Sequence, residues 1–258
     1  MTKIYHLDCG PMRPRIPKLE AATYVLLVES NHGWMLVDSG FGKKDLSRRP
    51  FFIMRIFRRM VRVAPNQSFS AYSQVENLGI DPHDVRDIVL THLHLDHAGG
   101  LADFPWAKVH VLEKEFEAAQ HHRGRIGIGY IKKQWAHHPD WVFYQDFDTT
   151  WFDLPAVRVK DIEPQVYLIA AYGHTIGHCM VAVKNGDRWL LHCGDSAYPF
   201  YLQKEEQTFK PPESFVTGVL GLHIKTLRKL IKNHGDQITL ISSHDSVSLK
   251  NNKKMESL

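Results

Sequence analysis

Two apolar runs, residues 22–29 and 34–38, flank the polar tetrapeptide Ser30, Asn31, His32 and Gly33. Short apolar runs bounded by such turn residues predict a β-hairpin. Residues 85–90 and 108–112 predict two more strands, the second running into a helix over 113–122. Further on, residues 178–183 and 188–192 flank Lys184, Asn185, Gly186 and Asp187, whose Asn-Gly pair is a strong hairpin signal. Another apolar run spans 166–173, and a helix at about 222–233 with a strand at 238–241 closes the pattern.

Two segments read differently. Within 51–61, Ile53, Ile56, Phe57, Met60 and Val61 recur at helical spacing, and Arg55, Arg58, Arg59 and Arg62 fall mainly on the other side. This predicts an amphipathic helix that buries its apolar face, as packing or as a lid over an apolar pocket, with membrane contact as the alternative. Residues 123–150, with Gly124, Gly127, Gly129 and several aromatics, predict a long irregular segment that shapes a cleft. Strands dominate both halves, helices lie between them, and no Pro- or Ser-rich linker divides the chain. The expectation is therefore an α/β architecture in one domain over 1–258, with a basic amphipathic insertion at about 41–75 and an irregular loop at about 123–150.

Composition narrows the class. With 258 residues, 43% hydrophobic and 23% charged, the chain can bury a sizeable core. No apolar run reaches the roughly 18 residues of a transmembrane segment, and the N-terminus lacks a signal-type apolar region. Cys9, Cys179 and Cys193 are few, odd in number and without Cys-x-x-Cys spacing, which predicts buried thiols and a cytoplasmic location. The net charge of +4 is uneven: Lys43, Lys44, Arg48, Arg49, Arg55, Arg58, Arg59 and Arg62 stand against Asp45 alone between residues 43 and 62. One short basic stretch is not the broad groove of a nuclease, so nucleic acid is not an expected partner. A homodimer is compatible with the chain.

The candidate chemistry lies in residues 91–100, where His92, His94, Asp96 and His97 fall within six positions ahead of Ala98, Gly99 and Gly100. Imidazole and carboxylate are the ligands of a catalytic zinc, which takes about three protein groups and keeps a position open. The preceding strand and following glycines place this run on a loop at a strand's C-terminal end. His174, Asp195 and His244 each follow an apolar run and are candidates for the same edge. Asp38 also ends a strand, either orienting a ligand ring or closing a turn on its own backbone. His178 and His192 are expected to pack or to support ligands, not to be ligands.

The order His92-x-His94-x-Asp96-His97, then His174 within Gly-His-Thr-Ile-Gly-His, then Asp195, then His244, resembles the metallo-β-lactamase superfamily. The match spans nearly the whole chain, including residues 37–40. It implies an αββα sandwich of two mixed sheets flanked by helices. It also implies two divalent ions, with zinc foremost and iron, cobalt or manganese as alternatives. One ion would be held by His92, His94 and His174 and the other by Asp96, His97 and His244, with Asp195 bridging. Within the superfamily the chain is most similar to N-acyl homoserine lactone lactonases, through residues 91–100, residues 115–121, and Tyr198 three positions after Asp195. The implied activity is a quorum-quenching lactonase: attack of a metal-bridging hydroxide on a small-molecule substrate with an acyl chain. Tyr198 then stands at the oxyanion, and Asp96 passes the proton to the leaving alkoxide. Ile176 departs from the proline usual in the Gly-His-Thr-Pro-Gly-His motif. A thioesterase or phosphodiesterase of the same fold is the alternative, followed by a non-catalytic metal-binding sensor.

Overall fold

The computed structural model describes residues 1–14, 20–121, 129–197, 221 and 223–256. Among them are two six-stranded sheets. The first runs β1 (Ile4–Asp8), β2 (Tyr24–Ser30), β3 (Gly33–Val37), β4 (Val85–Val89), β5 (Lys108–Leu112) and, beyond helices α1 (Phe52–Val61), α2 (Ala71–Asn77) and α3 (Glu113–His121), β6 (Asp140–Tyr144), in that spatial order. The second contains β7 (Thr149–Trp151), β8 (Leu154–Arg158), β9 (Val166–Ala170), β10 (Cys179–Asn185), β11 (Arg188–His192) and β12 (Ile238–Ile241). Two more helices follow β11 in the chain: α4 (Ile224–His234) before β12, and α5 (Ser246–Glu256) after it.

Alternation along the central strands builds the layers, because successive side chains of a strand point to opposite faces. On β2, Tyr24, Leu26 and Val28 enter the core between the sheets, while Val25 and Leu27 enter the core under the helices. β10 divides the same way: Cys179, Val181 and Val183 face the first sheet, and Met180 and Ala182 face outward. Helices α2 and α3 cover the outer face of the first sheet through Val75 and Ala119. Leu227 and Leu230 of α4 cover the second. The result is the four-layer α/β sandwich expected from the sequence.

Both hairpins form as predicted. β2 and β3 pair antiparallel with Ser30 opposite Gly33, and β10 and β11 pair with Asn185 opposite Arg188. β3, β4, β5 and β6 are mutually parallel, as are β11 and β12, so several strand C-termini reach one edge of the sandwich.

Two expectations are corrected. The segment at 123–150 is not irregular throughout: Asp140–Tyr144 extends the first sheet as its parallel edge strand beside β5. Its Trp141 and Phe143 pack against Phe116 of α3, at centroid separations of 5.0 and 4.9 Å, so the aromatics cover a helix–sheet junction. The helix at 51–61 forms, but it buries only part of the predicted face. Met54 and Arg58 go inward, with Phe57 and Val61 packed beside them, while Ile53, Ile56 and Met60 face solvent. Arg58 can enter because its Nη1 donates to the carbonyls of Asp45 (2.7 Å) and Ser47 (2.6 Å). The helix stops at Arg62, which adopts left-handed backbone (φ 57°) and returns its N–H to Arg58 O.

Candidate metal centre

Four loops meet where the strands end. Residues 90–98 leave β4, residues 171–178 leave β9, residues 193–197 leave β11 and residues 242–245 leave β12. Backbone hydrogen bonds join them: Cys179 N to Thr91 O (3.0 Å), Cys193 N to Ile241 O (2.8 Å) and Ser243 N to Gly194 O (3.2 Å). Gly194 has φ 54°, and a Cβ there would stand 2.6 Å from His178 Nε2, so only glycine brings the chain this close ahead of Asp195.

The structure brings the candidate ligands together. Three groups converge, each with its ligand atoms within 4.8 Å: His92, His94 and His174; His92, His97 and Asp195; and Asp96, His97 and His244. The Asp195 carboxylate lies between the clusters. Its Oδ2 is 3.3 Å from Nε2 of both His174 and His244, and its Oδ1 is 3.4 Å from Nε2 of His97. Asp96 is farther out, 3.9 Å from His97 and 3.8 Å from His244.

Outer partners orient the rings. Nδ1 of His97 faces Asp38 Oδ2 at 2.8 Å, Nδ1 of His244 donates to Ala22 O at 2.9 Å, and Nδ1 of His92 faces the Thr91 hydroxyl at 3.0 Å. Each Nε2 is thereby turned toward the centre. Asp38 orients a ligand ring and, among the described residues, does not close a turn on its own backbone with its side chain. Its backbone turns (φ 58°), and its carboxylate also accepts from Thr91 N at 2.8 Å.

A cation fits this arrangement. His92 Nε2, His97 Nε2 and Asp195 Oδ1 are buried and have no hydrogen-bond partner among the described residues. Buried polar atoms without partners are costly, and lone pairs converging on one point are what a metal satisfies. The electrostatics agree. Burial opposes charge on His97, but Asp195, Asp38 and Asp96 outweigh it and hold the imidazole well above its ordinary range. Burial likewise opposes charge on His244, yet Asp195 and Asp96 push it up to about 9. Burial works against the Asp195 carboxylate, but His244, His97 and His174 hold it well below the usual range. His92 is driven well down, by burial and then by its neighbours His97 and His94.

One residue that the motif reading left without a role organises two of these loops. Glu115 of α3 is fully buried. Its Oε1 accepts from Leu93 N (2.9 Å) and the Tyr130 hydroxyl (3.1 Å), while Oε2 accepts from the Thr175 hydroxyl (2.7 Å) and Gly177 N (3.1 Å). It thus ties the loop of His92 and His94 to that of His174. Burial raises its pKa, and these donors oppose the shift. The available sequence signal was one of three glutamates, with Glu113 and Glu117, on the helix following β5, which a surface position matches equally well. His178 contacts a candidate ligand, and His192 packs beside the cluster without touching one. His178 Nε2 accepts from Asp195 N at 3.0 Å, and His192 Nε2 donates to Tyr24 O at 2.9 Å. Tyr198 lies outside the described residues.

Face-to-face sheets flanked by helices, with a histidine–aspartate centre at their common edge, define a metal-dependent hydrolase. The metallo-beta-lactamase superfamily model matches residues 20–241, and the chain belongs to that superfamily. A probable metallo-hydrolase of Mycobacterium tuberculosis is 36% identical over 256 residues, covering 94% of this chain and 80% of that protein. The N-acyl homoserine lactonase AttM of Rhizobium radiobacter is 30% identical over 183 residues, 70% of this chain and 66% of the lactonase. The solved structure of an N-acyl homoserine lactone hydrolase, with the product N-hexanoyl-L-homoserine at its catalytic metal centre, superposes with a TM-score of 0.67. It is 22% identical and aligns over 96% of this chain and 95% of that one, a likeness of fold.

Proposed function

We propose that the protein is a dinuclear hydrolase that opens the lactone ring of N-acyl homoserine lactones. His92, His94 and His174 would hold one ion and Asp96, His97 and His244 the other, with Asp195 shared by the two groups. The observation that carries the two-ion reading is the position of Asp195 Oδ2, 3.3 Å from a histidine of each cluster. A carboxylate there can serve two cations at once. The lactone reading rests on the similarity to the lactonases named above.

Divalent ions, most simply zinc, would supply a Lewis acid for the carbonyl oxygen there and would lower the pKa of water toward 7. The protein's own groups do the rest. Asp96, at the rim of the cluster, takes the proton from the attacking water and delivers it to the ring oxygen as the carbonyl carbon–oxygen bond breaks, leaving an acyl homoserine. The Tyr198 hydroxyl donates to the developing oxyanion; one such donor is typically worth about 3–4 kcal/mol. Asp38 and Ala22 O keep the His97 and His244 rings from turning away. Three buried free thiols, Cys9, Cys179 and Cys193, suit a reducing cytoplasm.

The test is a pH-indicator assay of the metal-loaded protein on N-acyl homoserine lactones of several acyl lengths, beside an acyl thioester and a phosphodiester, with metal content measured on the same sample. Lactone opening at about two metals per chain is expected. Full metal content with turnover of the thioester or phosphodiester alone would reject the lactone substrate. Full activity after His94→Ala has removed metal would reject the mechanism.

A further inference from the structure

Helix α1 presents to solvent part of what its sequence pattern would bury. Phe52, Ile56 and Met60 follow one another at four-residue steps with Ile53 beside them, forming one stripe along the helix. Phe52 is 68% and Met60 67% exposed. The helix is anchored by its other side, where Met54 is fully buried and Phe57 and Val61 pack into the cluster that also holds Leu95 of the histidine loop. That anchoring leaves the stripe open to solvent.

The stripe is bordered by positive charge. Arg48, Arg55, Arg58, Arg59 and Arg62, with Met60, line an open groove of about 620 Å³. Among the described residues, no ion pair engages Arg48, Arg55, Arg59 or Arg62. Arg58 is only 8% exposed, and its Nε has no acceptor among the described residues.

An apolar stripe alone could meet a second copy of the chain. Here a two-fold contact through the stripe would bring the flanking arginines of one copy near those of the other, and like charges across an interface oppose it. A surface that is apolar within and anionic at its face complements both features. We propose that α1 is a docking surface for anionic phospholipid bilayers. The arginine groove takes headgroup phosphates, while Phe52, Ile53, Ile56 and Met60 enter the boundary between headgroups and acyl chains. The docking is reversible, since a single ten-residue helix offers only this stripe and its flanking charges.

The experiment is co-sedimentation of the full chain with large vesicles of phosphatidylcholine alone or mixed with phosphatidylglycerol. Each arginine near an anionic surface is worth about fivefold in partitioning, so the double variant Arg55→Gln, Arg59→Gln should bind the anionic vesicles about 25-fold more weakly. Ile56→Ser with Met60→Ser should also weaken binding, by about tenfold, with an unchanged melting temperature because both side chains are already exposed. Equal binding to neutral and anionic vesicles, or no binding to either, would overturn the proposal. So would wild-type vesicle binding by the serine variant. Saturation of the groove by inorganic phosphate, without vesicle binding, would make it a small-anion site and equally overturn bilayer docking. If the serine variant instead dissociates an oligomer in sedimentation velocity while vesicle binding is unchanged, the stripe is a self-association face and the proposal fails.

Discussion

Oδ2 of Asp38 stands 2.8 Å from Nδ1 of His97, and the same carboxylate accepts the backbone N–H and the hydroxyl of Thr91. One strand-end aspartate therefore sets both the start of the histidine loop and the direction of a ring inside it. Asp38→Asn keeps the size of the group but removes the charge that holds the ring, and metal affinity should fall about 10–100-fold. A competitive chelator titration measures this, and an unchanged affinity would remove Asp38 from its assigned part.

Glu115 gives a second test. Glu115→Gln replaces one accepting oxygen with an NH₂ that faces donors, either Leu93 N and Tyr130 or Thr175 and Gly177 N. At least one buried N–H is left without an acceptor, at a cost of about 1–3 kcal/mol. Chemical denaturation should show that loss, and metal content should fall with it because two ligand-bearing loops lose their tie. A variant as stable and as metal-rich as the parent would contradict this account.

Metal binding should release protons. Asp195 and then Asp96 hold His244 up to about 9 against the effect of burial, so near neutral pH the metal-free ring is protonated and an ion must displace that proton. Apparent affinity should climb as pH rises from neutrality through about 9. Calorimetric titration in buffers of different ionisation enthalpy counts the protons released, and zero release near neutrality would be inconsistent with this charge arrangement.

Asp45, which is not a candidate ligand, predicts a pH dependence of stability. Burial pushes its carboxyl from 3.8 up to about 7, against hydrogen bonds from Gln134 and Gly42. The folded protein thus keeps this proton to higher pH than the unfolded chain. The stabilisation is fully present below 3.8 and is lost as pH rises through about 7. Asp45→Asn retains an acceptor for Gln134 Nε2 and Gly42 N without the charge. It should raise the melting temperature at about pH 8, with a gain that shrinks toward about pH 5. A gain that grows as pH falls would reverse the assignment.

Much of the site is legible in the sequence because its ligands obey local rules. His92, His94, Asp96 and His97 are crowded into one loop after an apolar run, and His174, Asp195 and His244 each follow a strand. Glu115 obeys no such rule, since a glutamate on a short amphipathic helix looks solvated until Leu93, Tyr130, Thr175 and Gly177 supply its donors. The strand at Asp140–Tyr144 is obscured in the same way. Its aromatics lack strict alternation, and its strand state comes from the parallel register beside β5.

Helix α1 shows where the boundary falls. That the segment is an amphipathic helix follows from neighbouring residues alone, as do the two hairpins, the strands at 85–90, 108–112, 166–173 and 238–241 and the crowded histidine loop, because periodicity and side-chain chemistry are local properties. Tertiary structure alone decided that Arg58 goes in and Met60 stays out, and that Asp38 and Glu115 serve the metal loops. The reason is physical: a charged group can be buried only where distant backbone and side chains meet its hydrogen bonds, and those partners are set by how the layers pack.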